Sequence, residues 1–207
     1  MKAGSFYSRL AWGAAAGAIA MIAYHGTQYA SLDHAVVSAD CWSWHRVPFH
    51  PAWVWPYESM FVLVGLPWFM LRTLREVQRF ALALLASAAV GWMTFLLHPT
   101  ACVRPSPIGE PAYYGALHEL DWPNNCMPCL HSALAIVSIW ALIRGRTVLA
   151  GSGGRVFLAT WLGLITVSIV ALRQHTGIDI AVGMGLGCFG AALFTWLDVN
   201  SARAAQS

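Results

Sequence analysis

Six blocks of mostly apolar residues constrain this chain more than any other feature, because each is close to the length that a helix needs to cross a bilayer. They fall at about 10–30, 54–71, 80–98, 128–143, 156–172 and 178–197, against a requirement of about 20 residues per crossing. The fourth block is short and needs its flanks. None shows sustained alternation and they are too few to close a barrel, so helices are expected rather than strands. With 58% hydrophobic and only 10% charged residues, a water-soluble domain with a charged surface is excluded. The expectation is an all-α integral membrane protein, with residues 1–207 forming a single transmembrane domain. Lys2 and Arg9 precede an Ala-rich core, and "AIA" at 18–20 imitates a signal-cleavage site; the first block is read as an uncleaved helix.

The basic residues set the orientation, since Lys and Arg of short loops stay on the cytoplasmic side. With the N-terminus inside, Lys2, Arg9, Arg72, Arg75, Arg79, Arg144, Arg146, Arg155 and Arg203 fall inside, nine of the 12 basic residues. Only Arg46, Arg104 and Arg173 fall outside. Six crossings with both termini cytoplasmic follow. The net charge of +3 is spread over several short loops and calls for no nucleic-acid partner. Two long outer loops result, at about 31–53 and 99–127, and Trp42, Trp44, Trp53 and Trp55 of the first suit the interfacial belt.

Three segments with ionisable residues end on the outer side: "HPTACVRP" after the third block, "NNCMPCLHSALA" opening the fourth, and "VSIVALRQHTGID" before the sixth. They bring Arg104, His131, Arg173, His175 and Asp179 to one face, and such residues at membrane depth line cavities or mark function. Asp179 stands four residues after His175, so on a helix it can accept a hydrogen bond from one ring nitrogen and leave the other free to attack. Asn124 or Asn125 can cap a helix starting near Pro128. The amides of Cys129, Leu130 and His131 then form an anion site at its positive end. His131 beside that anion is placed to give a proton to a leaving oxygen, and Arg104 and Arg173 offer forks that match phosphate oxygens. The ligand these residues suit is a phosphate ester.

These segments resemble the type 2 phosphatidic acid phosphatase superfamily, in particular its aureobasidin-resistance and inositol phosphorylceramide synthase branch. "PCLH", Pro128 to His131, is similar to the family's Pro-Ser-x-His motif. "SIVALRQHTGID", Ser168 to Asp179, is similar to the branch's third motif, and Arg104-Pro105 to the end of the first. The resemblance implies a six-helix bundle in which His175 is a nucleophile forming a phosphohistidine, Asp179 its orienting partner and His131 the general acid. It implies phosphate binding by Arg104 and Arg173, no metal or other cofactor, and an active site at the outer face of the membrane. Leu97 stands where many members carry a lysine, and Cys129 stands for the motif serine; a thiol is the weaker donor.

The expected activity is hydrolysis of a lipid phosphate or phospholipid at the outer, periplasmic side of a bacterial cytoplasmic membrane. Transfer of the phospho-headgroup to a ceramide- or diacylglycerol-like alcohol is the alternative. Cys126 and Cys129 also have the spacing of a redox dithiol at a helix N-terminus, which is the pattern of a membrane thiol-disulfide oxidoreductase. A zinc site using His131, His175 and Asp179 is a further reading, and a structural or transport role another. Cys41, Cys102, Cys126 and Cys129 all fall outside, where disulfides persist, and Cys102 with Cys126 is the expected pair. Cys188 reads as a small apolar residue. His118, Glu119 and Asp121 can line the entrance of the site, although an exposed polar loop is the first reading.

Overall fold

The computed structural model of the chain describes residues 6–37 and 48–204, with side chains through 201. Lys2, Cys41, Trp42, Trp44 and Arg46 lie outside these residues. Among the described residues seven α-helices form: α1 Phe6–Ser31, α2 Val54–Met70, α3 Leu74–Leu97, α4 Ala112–Leu120, α5 Leu130–Arg144, α6 Ser152–Ala171 and α7 Gly177–Ala204. Each of the six apolar blocks becomes a helix. Four of them, α1, α3, α6 and α7, are long and apolar enough to cross a membrane. At 1.5 Å per residue, the 17 residues of α2 and 15 of α5 reach less than the ~30 Å of a hydrocarbon core.

Several elements depart from the sequence reading, among them α7, which runs on to Ala204 rather than ending near residue 197. α3 begins at Leu74 rather than near residue 80, because Thr73 and Glu76 close a capping box: the Thr73 hydroxyl accepts from the Glu76 amide at 3.2 Å, and the Glu76 carboxylate accepts from the Thr73 amide at 2.8 Å. The second long loop carries α4, whose Tyr114 and Leu117 are buried under the bundle. The loops also meet through a two-residue parallel pairing of β1, Val36–Val37, with β2, Thr100–Ala101.

α5 is the central helix, packing against α7, α2, α3 and α6. Between helices in lipid there is no hydrophobic drive, so close van der Waals contact and small residues carry association. α7 supplies them. A Cβ on Gly183 would stand 2.2 Å from the Cys129 carbonyl oxygen, and one on Gly187 would stand 2.8 Å from that of Ala133. The outer surface is the reverse of a soluble protein's: Ile22, Leu82, Val156, Phe189 and Trp196 are all exposed, as a lipid-facing belt requires.

The two ends of the bundle differ in charge. At one end, Arg9 donates to the carbonyls of Phe69, Leu71 and Arg72, Arg72 donates to Arg146, and Arg79 and Arg144 pair with Asp198. At the other end, the final turn of α1, the first turns of α2, α5 and α7, and the loop over 121–129 join through buried polar groups.

The α5–α7 approach makes a direct prediction. Gly183→Ala destabilises the protein by about 1–3 kcal/mol through overpacking, whereas Gly185→Ala, which meets nothing within 4 Å, is neutral or stabilising. Thermal unfolding of both variants in one detergent checks this; equal behaviour contradicts the packing described.

Candidate active site

The polar end is assembled from three short-range ties. The Cys129 amide donates to the Asp179 carbonyl at 2.9 Å, and the Ser132 hydroxyl contacts the carbonyls of Cys129 and Ile180 at 2.9 and 3.3 Å. Together they join the first turns of α5 and α7. The third tie is the bond from His175 Nδ1 to the Cys126 carbonyl oxygen at 2.8 Å. A carbonyl only accepts, so this nitrogen carries the proton and Nε2 keeps the lone pair. His131 lies on the first turn of α5, its ring centroid 5.7 Å from that of His175. Cys129 is buried beside them, with its sulfur and one nitrogen of each histidine within 4.8 Å of one another.

Asp179 does not take the expected place. Its carboxylate accepts from the Thr176 amide at 2.7 Å, and its own amide donates to the Thr176 hydroxyl at 3.3 Å. That reciprocal pair caps α7. The hydrogen bond expected from His175 goes instead to Cys126, and Asp179 acts on the imidazole only through its charge, with a carboxylate oxygen within 4.8 Å of a His175 nitrogen. The Cys129 amide, expected as part of an anion site with Leu130 and His131, is occupied by Asp179. The asparagines do not cap α5, whose N-cap is Cys129. They hold α1 instead: Asn124 donates to Ser31 at 2.9 Å and Asn125 to Thr27 at 3.0 Å.

Arg104 is drawn in by a partner that the sequence reading left on the surface. Asp121 is buried, and its carboxylate faces Arg104 Nη2 at 3.6 Å. It also accepts from the Tyr57 hydroxyl at 2.8 Å, the Gln28 amide at 3.3 Å and the Tyr24 hydroxyl. Burial pushes this carboxyl up, but Arg104, His131 and the two hydroxyls outweigh it and hold it below the usual carboxylate range. Arg104 Nη1 donates to the Asp121 carbonyl, while its Nε is buried with no partner among the described residues. Arg173 adopts a left-handed conformation, φ 56°, in the turn before His175.

A cavity of about 440 Å³ opens from this polar cluster between α1, α2, α3, α4 and α5. Tyr24, Tyr57, Asp121 and His131 form its polar end, and Met21, Met60, Phe61, Ala88, Trp92 and Leu134 line it further along. His131 belongs to both the cavity and the histidine pair; His175 does not border the cavity.

The cysteines give a different picture from the one expected. Cys102 is disulfide-bonded but Cys126 is a free thiol, so they do not form the expected bridge although they pack together. The Cys126 thiol instead contacts the carbonyls of Pro123 and Gln174. Burial pushes it up to about 12, the opposite of the acidic thiol a redox dithiol needs. Among the described residues two three-residue sets have metal-ligand chemistry, Cys129 with His131 and His175, and Cys126 with His175 and Asp179; His131, His175 and Asp179 do not form one. The first offers the sulfur and nitrogen donors of a catalytic zinc, and its spacing also suits three groups surrounding one phosphate.

Sequence reasoning missed Tyr57 and Tyr24, and it left Asp121 in an exposed polar loop or at the entrance rather than buried beside Arg104. The available signal was Asp121 close before "NNC", with Tyr57 near the outer end of the second block. No family model matches the chain, and no curated protein or solved structure matches it.

Burial, then the neighbouring His131, lowers the affinity of His175 for a proton. The neutral ring is therefore the folded-state form at neutral pH. Because its folded value lies below the unfolded ~6.5, the unfolded chain binds the extra proton first. Stability present above ~6.5 is lost as pH falls toward the folded value. The melting temperature of the wild type drops between pH 6.5 and 4.5 more steeply than that of His175→Asn. Identical pH profiles contradict a buried neutral His175.

Proposed function

We propose that this protein is a membrane phosphatase acting on the phosphate ester of an apolar alcohol, a lipid phosphate, through a phosphohistidine. The observation that carries the reading is the double position of His131, with His175 on one side and an apolar cavity on the other. A phosphate held between the histidines directs its alcohol into the cavity, so the proton donor stands at the bond to be cleaved.

His175 Nε2 attacks phosphorus while the P–O bond to the alcohol breaks. The bonding pair goes to the alcohol oxygen, which takes the Nε2 proton of a protonated His131. Water then attacks the phosphohistidine, gives its proton to His131, and releases inorganic phosphate and free His175. The unpartnered Arg104 Nε supports the reading: a buried donor without an acceptor costs about 1–3 kcal/mol, which a phosphate oxygen relieves. Arg173 adds a second guanidinium. Asp179 stabilises the positive charge on His175 from a capped position.

We further propose that all six helices formed by the apolar blocks, the shorter α2 and α5 included, cross the bilayer with both termini cytoplasmic. The arginine-rich end then faces the cytosol and the histidines face the periplasm. The short α2 and α5 end where the polar site begins, and irregular backbone is tolerated at membrane depth where it lines a cavity.

Incubation of the purified protein with phosphatidic acid, with and without diacylglycerol or ceramide, tests the reading. Inorganic phosphate as product supports hydrolysis, a new phospholipid supports the transferase alternative, and no turnover of any lipid phosphate refutes both. His175→Ala abolishes turnover, whereas Cys129→Ser retains or raises it; loss on Cys129→Ser favours a thiol mechanism. Chelator-treated protein keeps its rate, and a loss restored by added zinc makes the Cys129, His131, His175 set a metal site instead.

A further inference from the structure

The Tyr57 hydroxyl lies between two groups that constrain its single proton. Asp121 Oδ2 is 2.8 Å away and His131 Nδ1 is 3.4 Å away. An ionised carboxylate only accepts, so the hydroxyl donates to Asp121 and presents a lone pair to His131. His131 Nδ1 must then carry a proton, which leaves Nε2 as the working nitrogen. The Tyr57 ring also lies against the imidazole, with centroids 4.2 Å apart and planes 34° apart, so contact and hydrogen bond fix the same ring. Asp121 is itself immobilised by Tyr24, Gln28 and Arg104.

We infer that Tyr57, held by Asp121, is the positioning residue of the general acid, setting the tautomer of His131 and directing Nε2 at the leaving oxygen. The inference rests on the phosphatase reading and adds to it a partner for each histidine: the Cys126 carbonyl fixes His175 and the Tyr57 hydroxyl fixes His131. During alcohol release, Nε2 loses its proton to the alkoxide oxygen while Nδ1 keeps its own on Tyr57. The neutral ring is then in the correct tautomer to take a proton from water in the second half of the cycle. Asp121 thereby couples the phosphate-binding Arg104 to the acid.

A leaving group that departs easily needs no proton, and this separates positioning of the acid from a general structural role. Single-turnover release of alcohol is measured for two substrates carrying the same alkyl chain, a simple alkyl phosphate and an alkyl-substituted nitrophenyl phosphate. Tyr57→Phe, which keeps the ring, slows release from the alkyl phosphate by about 10-fold or more while the nitrophenyl ester stays within about threefold. His131→Ala gives the same selectivity with a larger loss. Equal slowing of both substrates by Tyr57→Phe, or an unchanged alkyl rate, overturns the inference. If Tyr57→Phe does not fold, Asp121→Asn has to show the selective loss, and its absence there is equally fatal. Wild-type rates on both substrates from His175→Ala overturn instead the phosphatase reading beneath.

Discussion

The close approach of α5 and α7 is the constraint on which the site depends. Glycine at 183 lets the first turns of the two helices approach until the Cys129 amide reaches the Asp179 carbonyl. That contact sets the distance between His131, on α5, and His175, in the turn before α7. No side chain on α7 can substitute for it, because a single methyl at position 183 meets backbone. The same tie consumes a helix-terminal amide, so the positive end of α5 keeps one donor fewer for any ligand.

Around this junction the buried charges are compensated locally. Asp121 and Arg104 form an ion pair shielded from water, and removing either partner leaves the other stranded at a cost of several kcal/mol. Tyr24, Tyr57 and Gln28 satisfy the remaining lone pairs of the carboxylate. The network joins α1, α2 and the loop after α4, so the architecture that positions His131 also closes the apolar cavity. Stability and site geometry are therefore linked through the same few hydrogen bonds.

Much of this was legible in the sequence, for identifiable reasons. Apolar blocks about 20 residues long report helices directly, and all six formed; the charge asymmetry anticipated which ends of the helices gather. The motif residues His131 and His175 do meet. What failed were inferences that need three dimensions. The i, i+4 relation of His175 and Asp179 presumed a helix through both, but α7 starts only at Gly177, with Thr176 as its cap, so Asp179 turned to the backbone and His175 to Cys126. The Cys102–Cys126 bridge rested on loop proximity, which does not fix thiol partners. Asp121 looked like a surface charge because its burial depends on α4 folding back over the bundle, and α4 lies in a stretch read as loop. α2 and α5 are apolar but, at 17 and 15 residues, shorter than the other four, and their turns at the polar end carry the site.

The account's central claim is that a phosphate sits between His175 and His131 with its apolar alcohol in the α1–α5 cavity. A structure of the protein with vanadate and a long-chain alcohol tests it most directly. Vanadium bonded to His175 Nε2, with the opposite apical oxygen beside His131 and the alkyl chain running past Met60 and Phe61, is the predicted result. Vanadate bound away from His175, or a chain lying outside the cavity, contradicts it.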